Sequence, residues 1–78
     1  MPTILRIGSY RFFFFSNESG EPPHIHIQEG KKLAKFWLHP VVITSSSNFR
    51  AHELSQLEKL VIQNKELFEK EWNEYFNS

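Results

Sequence analysis

The sequence predicts an α+β fold: an N-terminal antiparallel sheet of four to five strands, two hairpins plus a short strand, packed on one face by a C-terminal helical segment of one kinked or two helices. Three observations carry this. The first half is dense in β-branched and aromatic residues broken by Gly, Pro and Asn. The second half repeats its apolar residues at helical spacing with hardly a breaker. And 78 residues supply one hydrophobic core rather than two, because a chain this short buries only about 60% of the surface its unfolded form exposes. The domain reading is therefore a single unit, 1–78, with the sheet over 3–44 and the helical segment over 49–76.

Strand one is predicted from Thr3 to Ile7 and strand two from Tyr10 to Ser16, joined by Gly8-Ser9 as a two-residue hairpin turn in which Gly8 supplies the positive φ. A polar loop, Asn17 to Pro23, leads to the alternating stretch His24 to Glu29, and Lys32 to Leu38 follows across Gly30-Lys31 as a second hairpin. Pro40 precedes a short strand, Val41 to Thr44, and the Ser-rich run Ser45 to Asn48 reads as a turn, with Ser47 or Asn48 as the helix N-cap. From Ala51 to Phe76, Leu54, Leu57, Val61, Phe68, Trp72 and Tyr75 form one stripe, widened by Leu60, Leu67 and Phe76. Asn64 interrupts that stripe, which predicts a bend or break between Gln63 and Lys65.

Counting outward from each two-residue turn gives the cross-strand partners, and partners share a face. One face receives Ile7 with Tyr10, Leu5 with Phe12, Ile27 with Ala34 and Ile25 with Phe36, and is the predicted core side. The other receives Arg6 opposite Arg11, beside Ile4, Phe13 and Phe15, together with His26 opposite Lys35 and His24 opposite Trp37. A like-charge pair across a ladder needs solvent, a carboxylate or an anionic ligand to offset it. The helices are expected on the oily side, which leaves a face of cations and aromatics for partners.

Composition narrows the chemistry. Nine Lys and Arg balance nine Asp and Glu, so no net field draws the whole molecule to nucleic acid or an anionic membrane. The absence of cysteine excludes disulfides, thiolate zinc sites and thiol catalysis, and fits a cytoplasmic location. The longest nearly apolar run, Phe12 to Phe15, is far short of the roughly 20 residues of a membrane-spanning helix, and Met1 to Leu5 lacks the features of a secretory signal. No membrane role and no cofactor are expected.

Phe13, Phe15 and Trp37 among Arg6, Arg11, His24, His26 and Lys35 are the parts with which an open sheet stacks bases and contacts phosphates, so RNA is one expected partner. A cognate protein or a second copy of the chain is the other way to cover such a face. His24 and His26, two apart on a strand, point the same way and can converge on one ligand. Two imidazoles alone do not complete a metal site; a third ligand would have to come from Glu21, Glu29, His39 or His52, so no metal is assigned. With Lys35 holding a phosphate, the same pair is suited to general acid–base cleavage of RNA, which makes His24, His26 and Lys35 the catalytic candidates. The charges of the helical segment read as a solvated face with pairs such as Glu66 with Lys70.

Met1 to Gly8, the Phe12 to Ser16 run, Glu21-Pro22-Pro23-His24-Ile25-His26, Phe36-Trp37-Leu38 with Pro40-Val41, Phe49, Glu53-Leu54 and the closing Trp72 to Phe76 together resemble the prokaryotic domain-of-unknown-function family numbered 4160. That family has no established activity; its small genes often sit beside a second small gene and are suspected toxin–antitoxin components. The resemblance implies a cytoplasmic component, a toxin, of such a two-gene module, which binds RNA or a cognate antitoxin-like protein through the cationic and aromatic sheet face. The alternatives are a ribonuclease or metal-dependent hydrolase using His24 and His26, and a structural homodimeric adaptor. Where the family commonly has an acid before the Pro-Val pair this chain has His39, and where a small hydroxyl residue commonly opens the helix it has Arg50, which removes a capping-box partner for Glu53.

Overall fold

A computed structural model describes residues 3–15 and 20–77. Five strands, β1 (Thr3–Ile7), β2 (Tyr10–Phe13), β3 (His24–Glu29), β4 (Lys32–Leu38) and β5 (Val41–Ser47), precede two helices, α1 (Ala51–Gln63) and α2 (Lys65–Asn77). The strands form one antiparallel sheet in sequence order, β1-β2-β3-β4-β5, so β1 and β5 are its edges. Gly8 and Gly30 sit at φ 57° and 59° in the two hairpin turns, a conformation that costs an L side chain about 1–2 kcal/mol. Both turns therefore hold the register that counting predicts: Ile7 opposite Tyr10, Arg6 opposite Arg11, His26 opposite Lys35 and His24 opposite Trp37.

The oily face is closed by the helices. Phe12, Ile25, Ile27, Phe36 and Leu38 from the sheet meet Leu57 and Val61 of α1 and Phe68 of α2 in one buried cluster. Phe12 lies stacked on Phe68 with ring centroids 5.3 Å apart. Each such side chain contributes roughly 1.5–3 kcal/mol by leaving water, which is what fixes the helices to this side. The break between the helices falls at Asn64, where its side-chain amide donates to the Leu60 carbonyl at 2.9 Å and its own carbonyl accepts from the Phe68 N–H at 3.0 Å. Asn64 thus caps the last turn of α1 and accepts the first backbone hydrogen bond of α2.

Four details depart from the pattern. The strand predicted to reach Ser16 ends at Phe13, and Ser16 lies outside the described residues, as do residues 17–19 of the predicted polar loop. An extra residue in β1 opposes Phe12 and Phe13, because Thr3 pairs with Phe13 and Leu5 with Phe12. This bulge turns Ile4 away from the cationic face and against the core cluster. β5 runs on to Ser47, since a second irregularity at Thr44 lets Ser45, Ser46 and Ser47 pair with Lys35, Ala34 and Leu33. The turn is made instead by Asn48 at φ 69°, its amide donating to the Lys31 carbonyl at 3.0 Å.

The N-cap is consequently Arg50 rather than Ser47 or Asn48. The Glu53 carboxylate accepts from the Arg50 backbone N–H at 3.0 Å. That is one half of a capping box; a guanidinium has no acceptor to supply the other half. Among the described residues, no helix is long and apolar enough to cross a membrane.

Candidate functional site

The face turned away from α1 begins with alternation: Arg6, Arg11, Phe13, His26, Gln28, Leu33, Lys35 and Trp37 fall on it by strand register. Arg6 is exposed. Arg11 is tied down by its neighbours: its Nε donates to the Thr3 hydroxyl at 2.8 Å, its terminal nitrogen reaches Gln28 at 3.4 Å, and its guanidinium lies 4.5 Å from the Phe13 ring centroid. Delocalised charge over a ring face, with both edges hydrogen-bonded, offsets the proximity of Arg6 across the ladder.

Phe13 is buried although it lies on this face, because His26 stacks on it at 5.4 Å and Phe15 meets it edge-on at 5.4 Å. Phe15, at 39% exposure, is the most open member of this cluster, and His26 is half-buried. Lys35 sits 4.8 Å above the Trp37 ring and donates to the Glu21 carboxylate at 2.8 Å. Glu21 thus supplies the carboxylate that a cation on this face requires, and it comes from the loop just before β3.

His24 shares the register of this face but not its exposure. It is 1% exposed, with its ring 4.8 Å from Trp72 of α2, 5.1 Å from His26 and 5.7 Å from Trp37. Its Nδ1 lies 3.0 Å from the Pro22 carbonyl, which can only accept, so Nδ1 carries the proton. Trp72 reaches His24 because the C-terminal half of α2 closes the end of the sheet, where it also packs against Phe14 at 5.3 Å. Tyr75 and Phe76 meet Phe14 edge-on at 5.2 and 5.3 Å. Among the described residues, no three of His, Cys, Asp and Glu gather into a group suited to a metal ion.

Beside the Phe13–Phe15–His26 cluster runs an open groove of 370 Å³, lined also by Leu33, Lys35 and Ser45 to Ser47. Leu33, 45% exposed, and Val42, 47% exposed, extend the apolar surface along β4 and β5. Sequence reasoning passed over Leu33, although the parity that selects Lys35 and Trp37 selects it as well. The serines were missed because they read as a turn, and only the irregularity at Thr44 brings them into the sheet.

At the far end of β4, Lys32 donates to Glu53 at 2.8 Å and lies 3.6 Å from Glu29. The Lys32 hydrogen bond, followed by that from the Arg50 N–H, holds the Glu53 carboxyl below its ordinary value. The bond to Glu53 raises Lys32 in turn. This network clamps α1 to the second hairpin and leaves the cationic face alone.

Sheet, helices and open face together define an α+β chain whose one sheet side is a helix-covered core and whose other side is a surface of cations, aromatics and serine. More particularly, the chain belongs to the family described as Domain of unknown function (DUF4160), whose model matches residues 9–73, from the first hairpin turn well into α2. No curated protein and no solved structure matches it.

Proposed function

We propose that the protein is a cytoplasmic component, of the toxin type, of a two-gene toxin–antitoxin-like module, and that it binds its cognate protein through the sheet face opposite the helices. The module reading follows the family resemblance, and the observation that favours a protein over RNA on this face is the state of the cations there. Lys35 is committed to Glu21 and Trp37, and Arg11 to Thr3, Gln28 and Phe13. Phosphate binding is driven by cations that shed counterions when they meet the backbone. With two of the three Lys and Arg side chains of this face paired within a chain of zero net charge, exposed Arg6 leaves little of that drive. What the face offers instead is exposed Phe15, Leu33 and Val42 beside a groove, the aromatic and apolar anchors with a polar rim typical of protein interfaces.

The ribonuclease reading requires both imidazoles at the solvent edge. His24 under Trp72 supports a positioning role for that ring instead, one that joins α2 to β3. Titration calorimetry of the chain with the product of the adjacent gene tests the binding reading. Arg11→Glu and Trp37→Ala are expected to weaken binding by ~10-fold or more, while Ile62→Ala, on the outward side of α1 at 53% exposure, leaves it unchanged. Equal affinities for all four proteins would remove this face from the interaction.

A further inference from the structure

β5 is an open sheet edge of an unusual kind. Over Val41–Ser47 it contains no charged residue and no proline, two of the devices that keep exposed edges from pairing with other chains. Among the described residues no strand pairs with its outer side, and only the irregularity at Thr44 interrupts it. The regular stretch Ser45 to Ser47 also forms one wall of the groove that Phe13, Phe15, His26 and Leu33 complete. A strand added to β5 would lie about 4.8 Å away and send alternate side chains to the groove side. Backbone hydrogen bonds and a side-chain pocket, the two halves of strand-addition recognition, are therefore adjacent here.

Charge selects the occupant. At the Ser47 end of the strand stand Lys31 and Arg50, both exposed, whereas the acids of that corner, Glu29 and Glu53, are held by Lys32. The exposed charge there is positive, and a second copy of this chain would bring an equally uncharged β5 to meet it. We propose that β5 is the docking edge for an extended segment of the cognate protein, which adds as a sixth strand, places alternate apolar residues over the groove, and ends in acidic residues against Lys31 and Arg50. This rests on the protein-binding reading above and specifies its mode.

The test uses displayed random peptides of roughly ten residues, the length of a long strand, selected against the full chain. The best binder is then resynthesised with each backbone amide methylated in turn. Selected peptides are expected to alternate apolar residues and carry acids at one end. Methylation at every second amide should weaken binding by ~10-fold, the effect of a lost ladder hydrogen bond, and Leu33→Lys in the protein should weaken it comparably. Indifference to methylation overturns strand addition. If Leu33→Lys still abolishes binding in that case, the sheet-face reading survives without it; if neither change matters, both fail. Sedimentation of the chain alone supplies the remaining outcome, since a dimer disrupted by substitutions in Ser45 to Ser47 would assign the edge to a second copy and overturn the proposal.

Discussion

Single side chains decide two features of this molecule. Phe68 is 2% exposed and stacked on Phe12, which is fully buried. Phe68→Ala is expected to cost about 3–5 kcal/mol in urea unfolding, the transfer loss plus the cavity left behind. Glu53 answers to both Lys32 and the start of α1. Its folded value is lowered, so its contribution is complete above the ordinary 4.5 and is lost as pH falls through the folded value. Lys32 is raised, so its share is complete below 10.5 and is lost as pH rises beyond it. Glu53→Gln keeps the acceptor for the Arg50 N–H and removes the charge. Its melting temperature should therefore fall less steeply than that of the native chain on acidification; parallel curves would contradict this. The buried Phe68 was legible from helical spacing, but the Lys32–Glu53 pair was not, since it joins residues whose proximity only the turn at Asn48 creates.

At the scale of elements, the hairpin turns govern the result. Gly30 stands at φ 59° with nothing near the position of an added Cβ, so Gly30→Ala meets no clash and registers backbone strain alone. A loss of about 1–2 kcal/mol is expected, read as a lower urea midpoint, and Gly30→Asn should recover much of it because Asn tolerates this conformation. Both hairpin registers, and the break at Asn64, could be read in the sequence because glycine position and a gap in an apolar stripe are local signals. The irregularities at Ile4 and Thr44 could not, because one extra residue in a ladder leaves no mark on composition. Their consequences were correspondingly missed: Ile4 belongs to the core side, and the serines after Thr44 are strand rather than turn.

The whole molecule is organised by the difference between the two faces of one sheet. Alternation assigned Arg6, Arg11, His26, Lys35 and Trp37 to the side opposite the helices, and the strand register places them there. The burial of His24 was beyond the reach of alternation, because it depends on how far α2 travels past the break at Asn64 and where Trp72 lands. The same reach makes α2 the closure of the sheet end, joining Phe14 and His24 to one aromatic cluster. The two apolar surfaces of the chain thus have different fates: one is spent on the fold, and the other, with Phe15, Leu33 and Val42, stays exposed and is the face proposed above for a partner. Amide chemical-shift mapping of the labelled chain, free and bound to the adjacent gene's product, tests that division most directly. Changes are expected to concentrate at Phe13, Phe15, His26, Leu33, Lys35 and Trp37 and along β5, and changes confined to the outward surfaces of α1 and α2 would contradict the proposed division.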